Sequence, residues 1–334
     1  MPSLRLSVVF PPAFAVLSIF ALGCILASRP ALAAPPKVAT SIKPVQALVK
    51  MVMGSLATPD LIVPATASPH VFALKPSQAK MLSNADVVFW IGPSLETTLE
   101  GPLASLVNSD ARVVALIDTP GLDFIHREDT HDDEGATTDR HGHDHGTIDP
   151  HIWLSPKNGR ILIDAIAREL SALDPDNAPD YAKNAKKARQ RIALLIKKVA
   201  AFTAEMQVAA YLVQHDGFAY IARDFSLNEV GYIQTQPGRE PGAKHVAELL
   251  ARIKSEKIKC LFHETQFSPK LARQLNKETK ISLREIDPLG IEVMMTETAY
   301  VRIIQKIIMQ METCLYPRGS SKVKPAPVPV PKIQ

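Results

Sequence analysis

Short apolar segments rich in β-branched residues recur along this chain and constrain its fold more than any other feature. They form two series of four, and each segment is followed by a helical pattern or by a loop with turn signals. The segments are residues 37–41, 61–63, 87–91 and 113–117 in the first series and residues 211–214, 230–233, 259–262 and 282–286 in the second. Continuously apolar strands are typical of a parallel sheet that is covered on both faces. The sequence therefore predicts an α/β fold of two lobes, each with a mainly parallel sheet.

The strongest helical pattern lies between the two series, at residues 177–206. Apolar side chains recur there at steps of three and four residues, which is the spacing of one helix face. They are Tyr181, Ala185, Ala188, Ile192, Leu195, Ile196, Val199 and Phe202. At a rise of about 1.5 Å per residue, about 26 residues reach about 39 Å, the size of a domain. One long rigid helix is therefore predicted to bridge an N-terminal lobe, residues 34–176, and a C-terminal lobe, residues 207–316.

Residues 1–33 have the pattern of an export signal. Arg5 supplies a positive charge, residues 13–27 form an apolar run, and Ala31-Leu32-Ala33 is a small-x-small cleavage sequence. The run is shorter than the roughly 20 residues that a membrane-spanning helix needs. We therefore expect cleavage near Ala33 rather than a retained anchor. Lipidation at Cys24 is not expected, because Ala21 stands where a lipoprotein signal usually has leucine.

Composition narrows the function classes. Removal of the signal takes away Arg5 and Arg29, which lowers the formal net charge from +4 to +2. No basic face is predicted, so a nucleic-acid partner is not expected. The remaining cysteines, Cys260 and Cys314, are an even number in an exported chain, and a disulfide between them is expected.

Three histidines and one aspartate stand at positions where an α/β fold places ligand sites. His215 and Asp287 directly follow predicted strands, His70 lies in the loop after residues 61–63, and His151 precedes a helix start. The gaps of 81, 64 and 72 residues mean that only the tertiary fold can bring them together. Each alone could be a hydrogen-bonded polar residue of the core. As a set, three imidazoles and a carboxylate suit a borderline divalent ion, zinc above all.

Two segments are predicted to lie outside the globular core. Residues 126–148 hold five of the ten histidines among many acidic residues, and such a segment is expected to be a mobile loop. Its candidate ligands for weak, exchangeable metal binding are His131, His141, His143 and His145; a solvated linker is the alternative. Residues 317–334, rich in Pro, Lys and Val, are expected to form a disordered tail.

A zinc hydrolase is the competing class for the same ligands. It would need an open coordination position and a base, for which His263 or Glu264 would be candidates. The cluster His141-Gly142-His143-Asp144-His145 is similar to a metallo-β-lactamase signature, but it is one residue shorter before its Asp-His pair. It also lies in the acidic loop and does not follow a core strand. We therefore do not expect an enzyme.

Several motifs, taken in order, resemble the metal-binding substrate-binding proteins of bacterial ABC importers, in particular the periplasmic zinc-binding (ZnuA-like) ones. The resemblance covers the chain after the signal to about Tyr316. The motifs are Ser68-Pro69-His70-x-Phe72, Asp149-Pro150-His151-Ile152-Trp153, His215-Asp216-Gly217-Phe218, Phe262-x-Glu264-x-Gln266-Phe267 and Asp287-Pro288-Leu289-Gly290. The resemblance implies two α/β lobes bridged by one long helix. It also implies that Zn²⁺ is the transported ligand and that His70, His151, His215 and Asp287 bind it.

The resemblance carries further expectations. His215 favours zinc, because members that take manganese tend to have a carboxylate there; a manganese- or iron-binding protein and a surface adhesin of the same fold are the alternatives. Some members have Glu before the first histidine, whereas this chain has Pro69, so Asp287 or water would fill the fourth position. A monomer in the periplasm that delivers zinc to an inner-membrane ABC permease is implied.

Deletion of residues 130–146 should leave the fold and one tight zinc site intact, because this segment contributes nothing to a core. Zinc titration should show that only additional weak equivalents are lost. Loss of the tight site in the deletion variant would mean that the segment supplies a primary ligand.

Overall fold

The structure, a computed structural model, describes residues 34–126, 148–204, 209–234 and 241–315. The predicted export signal, the tail and most of the histidine- and acid-rich segment lie outside the described residues. So do Cys24, His131, His141, His143 and His145. Within the described ranges, every helix is too short or too polar to span a bilayer.

The N-terminal lobe contains a parallel sheet of four strands. In chain order they are β1 (Val38–Thr40), β2 (Asp60–Leu61), β3 (Val87–Trp90) and β4 (Arg112–Ala115). Their order in the sheet is β2-β1-β3-β4, and every neighbouring pair is parallel. The lobe's helices are α1 (Lys43–Met53), α2 (Pro76–Asn84), α3 (Glu100–Leu106) and α4 (Pro156–Leu173). The buried, β-branched character of β1 and β3 fits their position in the middle of this covered sheet.

The linking helix α5 (Ala178–Ala204) follows, with 27 residues. Its buried side chains lie on the face that the sequence pattern predicted, including Tyr181, Ile192 and Val199. The Tyr181 hydroxyl donates to Asp174 Oδ2 at 2.7 Å, which fixes the start of the helix to the end of α4. The predicted long helix between the lobes is confirmed.

The C-terminal lobe repeats the topology of the first. Its strands are β5 (Tyr211–His215), β6 (Glu229–Gln234), β7 (Cys260–Glu264) and β8 (Ser282–Ile286), in the parallel order β6-β5-β7-β8. Its helices are α6 (Ala219–Phe225), α7 (Ala243–Ser255), α8 (Lys270–Thr279) and α9 (Ala299–Leu315). The two-lobed α/β prediction is therefore confirmed.

The two lobes share a continuous hydrophobic core. One cluster of buried side chains includes residues of β1 and α1 as well as residues of β5, β7 and α9. Polar contacts reinforce it: the Trp153 indole N–H donates to the Pro288 carbonyl at 3.2 Å, and the Tyr300 hydroxyl donates to the Trp153 carbonyl at 2.7 Å. Lys43 in α1 donates to the Ile291 carbonyl at 2.7 Å. Movement of one lobe against the other would disrupt this packing, so the described fold favours small displacements.

The expected disulfide is present between Cys260, at the start of β7, and Cys314, in α9. It ties the last helix to the sheet of the C-terminal lobe. Its sequence separation is 54 residues. Serine at both positions should lower the free energy of unfolding by about 4 kcal/mol in the chain-entropy model. Urea denaturation of the metal-free protein tests this, and an unchanged midpoint would show that the bond does not stabilise the fold.

Candidate metal centre

Three of the four predicted ligands come together between the lobes. His70 lies in a short 3-10 helix, Pro69–Val71, His151 precedes another, and His215 ends β5. The Nε2 atom of His151 is 3.2 Å from that of His70 and 3.1 Å from that of His215. Ligand atoms of the three rings all lie within 4.8 Å of one another. The fold therefore gathers nitrogens from both lobes at one point.

A buried carboxylate orients His151. Asp149 Oδ1 is 2.7 Å from His151 Nδ1 and also accepts the His151 backbone N–H at 3.0 Å. Both residues are buried. The chain turns at this point, so that the aspartate accepts from the backbone of the histidine two residues later and also faces its ring. The ring is therefore fixed at its Nδ1 edge, and its Nε2 edge faces the other histidines.

A second buried carboxylate orients His215. Glu264 ends β7, the strand next to β5, and its Oε1 is 2.5 Å from His215 Nδ1. His215 and Glu264 are buried. Adjacent parallel strands that end at the same edge of the sheet thus supply a ligand and the group that orients it.

These carboxylates determine which nitrogen each ring presents to the site. Against a carboxylate oxygen Nδ1 is the donor, so Nε2 is the nitrogen that faces the other histidines. The Nε2 atoms of His151 and His215 lie within hydrogen-bond distance of each other, at 3.1 Å. Carboxylate–imidazole pairs of this kind orient metal-binding histidines and raise their basicity.

The spacing of the three nitrogens suits a small tetrahedral ion. Zinc binds histidine nitrogen at about 2.0–2.1 Å, which places two ligands of a tetrahedron about 3.4 Å apart. The observed separations of 3.1 and 3.2 Å are close to that value. The surrounding pocket is mostly apolar and includes Trp153, Leu154 and Phe218. His70 is less buried than the other two rings, so the site opens to solvent beside it.

Glu229 lies at the other end of the sheet from the histidine group, because it begins β6 and pairs with Tyr211 at the start of β5, whereas His215 ends β5. Burial, with smaller contributions from the negative charges of Asp216, Asp149 and Glu264, raises its pKa to about 8.

Asp287 lies apart from the histidine group. Its Oδ1 accepts the backbone N–H groups of Leu289 and Gly290 at 3.2 and 2.8 Å, and its Oδ2 accepts that of Ile291 at 2.7 Å. Lys306 adds an ion pair to Oδ2 at 3.4 Å. In this conformation both oxygens are used to form the turn after β8. Among the described residues, the group that could hold a metal comprises the three histidines without Asp287.

Gly217 was not singled out as a functional residue, and the structure places it against the histidine group. A Cβ atom at this position would lie 2.8 Å from His215 Nε2 and 3.1 Å from His151 Nε2. Real Cβ atoms essentially never approach other atoms within 3.0 Å. A glycine two residues after a candidate ligand is the signal that could have indicated this close approach.

Two matched α/β lobes, one rigid connecting helix and a cluster of three imidazoles between the lobes define a metal-binding protein of the two-lobed substrate-binding class. Comparison with known proteins identifies the family. The family model described as ZnuA, zinc-uptake complex component A, periplasmic, matches residues 38–314. The chain therefore belongs to the ZnuA family.

Individual relatives agree with this assignment. The high-affinity zinc uptake system protein ZnuA of Brucella abortus (strain 2308) is 35% identical over 310 residues, which cover 83% of this chain and 91% of that protein. The Yersinia pestis protein of the same name is 28% identical, covering 87% and 95%. A crystal structure of ZnuA superposes with a TM-score of 0.68 at 26% identity, covering 83% of this chain and 99% of that one. The periplasmic zinc-binding protein TroA from Treponema pallidum, 20% identical with a TM-score of 0.71 over 84% and 99%, shows the same fold.

Gly217→Ala should weaken zinc binding by about 10- to 100-fold, the range that is typical when the surroundings of a metal ligand are disturbed. The added methyl group would force at least one of the two Nε2 atoms to move. Gly101→Ala is the matched control, because a Cβ at Gly101 meets nothing within 4 Å. Competition with a zinc chelator measures both variants, and equal affinities would contradict the close approach at Gly217.

Proposed function

We propose that this protein captures zinc in the periplasm with Nε2 of His70, His151 and His215 and delivers it to an ABC-type permease. The observation that carries the proposal is the convergence of three imidazole nitrogens, on two rings that buried carboxylates contact at Nδ1. The chain belongs to a family described as a periplasmic component of zinc uptake, which supports zinc as the transported ion and the periplasm as the compartment.

The donor set favours zinc over manganese. Neutral imidazole is a borderline ligand that suits zinc, whereas manganese prefers carboxylate, carbonyl and water oxygens. For the same set of ligands, the affinity for zinc also exceeds the affinity for manganese. Zinc has no redox chemistry, and a site without cysteine keeps its ligands intact in an oxidising compartment.

Water is proposed as the fourth ligand. The Asp287 carboxylate already accepts three backbone N–H groups and an ion pair, and it would have to give these up to reach the metal. The opening beside His70 gives a water molecule access to the remaining position. An exchangeable fourth ligand also suits a protein that has to release its cargo.

A hydrolytic role is not favoured by the surroundings of the site. Glu264 already bonds to His215 Nδ1, so it is not available as a general base. His263 is its neighbour on β7 and points to the other face of the sheet, where the pairing brings it opposite Glu285. His263 is not one of the residues that line the pocket in the described part of the chain. We therefore propose binding without catalysis.

The transport route follows from the same proposal. Residues 1–33 would direct export and be removed near Ala33, and the mature protein would act as a monomer. His131, His141, His143 and His145 would bind further zinc weakly, in addition to the ion at the tight site. The shared core of the lobes favours release through small local movements when the protein docks on the inner-membrane permease.

Alanine at His70, His151 or His215 should each weaken zinc binding by more than the roughly 10- to 100-fold typical of losing a supporting residue. Asp287→Asn should lower the melting temperature, because the turn after β8 loses carboxylate–amide bonds, while the zinc affinity changes little. Isothermal titration with a competing chelator measures all four variants. Zinc binding by His151→Ala at wild-type strength would refute the proposed site.

Zinc should raise the melting temperature strongly at pH 7.5 and little at pH 5. Protons compete with zinc for imidazole, whose ordinary pKa is near 6.5, so affinity should fall steeply below about pH 6. Metal that binds only the folded protein stabilises it by about 4 kcal/mol at a thousandfold excess over Kd. Manganese should give a smaller shift at either pH. A thermal-shift series with both metals tests this, and an equal shift with manganese would contradict it.

A further inference from the structure

A buried tyrosine connects two of the proposed ligands across the lobes. Tyr220 lies in α6, the helix that follows His215, and its side chain is fully buried. Its hydroxyl accepts the backbone N–H of Ile125 at 3.2 Å and donates to the backbone carbonyl of Asp149 at 2.8 Å. One side chain of the C-terminal lobe thus binds two backbone segments of the N-terminal lobe, at Ile125 and at Asp149.

The two backbone segments that Tyr220 binds pair with each other next to the metal centre. The N–H of Asp149 donates to the Ile125 carbonyl at 2.9 Å, and His126 pairs with Ile148 in an antiparallel bridge beside them. Asp149 is the residue whose carboxylate orients His151. A contact chain therefore runs from the Tyr220 hydroxyl to the Asp149 backbone, from the Asp149 carboxylate to Nδ1 of His151, and so to the ligand atom.

We propose that Tyr220 is a positioning residue for zinc binding: it holds Asp149, and through it His151, in register with the segment that carries His215. The inference rests on the proposed function and adds to it a residue outside the pocket lining. Tyr220 is not among the residues that line the pocket in the described structure, and it acts through Asp149.

The need for such a residue follows from the position of the two rings. His151 and His215 belong to different lobes, and their Nε2 atoms lie 3.1 Å apart. A shift of the segment that contains Asp149 would change this distance and with it the fit to a metal ion. Removing the hydroxyl leaves the Ile125 N–H and the Asp149 carbonyl without this partner and lets the segment relax. Zinc would then have to restore the geometry on binding, which lowers affinity through lost preorganisation.

Tyr181 provides a matched control. It is also fully buried, and its hydroxyl donates to Asp174 at 2.7 Å, at the start of α5. It does not line the metal pocket in the described structure. Tyr181→Phe and Tyr220→Phe each remove one buried hydroxyl, so a general loss of stability should appear in both variants.

The test is the zinc dissociation constant of wild type, Tyr220→Phe and Tyr181→Phe by chelator competition at pH 7.5, with circular dichroism as the check on folding. Tyr220→Phe should raise Kd by about three- to tenfold, because the hydroxyl loses its hydrogen bonds to the Ile125 N–H and to the Asp149 carbonyl, and Tyr181→Phe should raise it by less than about twofold. The visible spectrum of bound Co²⁺ should change in Tyr220→Phe only. Equal Kd values and spectra in the two folded variants would overturn the inference.

A double variant tests the route through Asp149. If Tyr220 acts through this residue, Tyr220→Phe should add nothing to the loss in Asp149→Asn. Full additivity would overturn the proposed route. His151→Ala in the same series distinguishes a failure of the proposed function from a failure of this inference. If His151→Ala still binds zinc at wild-type strength, the proposed function is refuted. If His151→Ala loses zinc binding but Tyr220→Phe binds zinc like wild type, only the role of Tyr220 is refuted.

Discussion

The metal centre depends on two hydrogen bonds between buried carboxylates and imidazoles, Asp149 to His151 and Glu264 to His215. Each bond holds the ring at Nδ1 and directs Nε2 toward the other histidines. Because the carboxylates come from the same lobes as the rings they orient, each lobe presents a prepared nitrogen. Bringing the lobes together then places the two Nε2 atoms 3.1 Å apart, close enough for one divalent cation to bind both.

This dependence explains why the lobes share a core. Two histidines from different lobes keep their 3.1 Å separation only if the lobes do not drift apart. The helix α5, the continuous hydrophobic cluster and the Trp153–Pro288 hydrogen bond all oppose such drift. A rigid frame reduces the ordering that zinc binding requires, and so favours high affinity. The same rigidity leaves release to local changes around the rings.

Much of the fold could be predicted from the sequence, because apolar periodicity records which faces are buried. All eight apolar segments correspond to strands, and the predicted helix at 177–206 corresponds to α5. The ends of the strands were predicted less accurately than their positions. Strand β2 spans only Asp60–Leu61, although its backbone hydrogen bonds to the neighbouring segment continue to Val63. The burial of side chains, which the apolar pattern records, does not determine at which residue the backbone pairing of two strands ends.

The sequence predicted that His70, His151 and His215 would come together, and it said less about the residues around them. His70, His151 and His215 stand in motifs at strand ends or loops. Gly217 follows His215 by two residues, which signals a close approach of the backbone, but only the tertiary fold brings His151 near it. Asp287 begins Asp-Pro-Leu-Gly, a turn sequence in which aspartate often accepts backbone N–H groups a few residues later. That signal competed with the metal-ligand prediction, and the carboxylate here forms the turn.

The most direct test of the central claim is a crystal structure of the zinc-loaded protein with anomalous diffraction measured on both sides of the zinc edge. We expect one strong peak between the lobes, about 2.0–2.1 Å from Nε2 of His70, His151 and His215, with a water molecule as the fourth ligand. Nδ1 of His151 and His215 should remain bonded to Asp149 and Glu264. A zinc peak bound by Nδ1, or one away from the three histidines, would contradict the account.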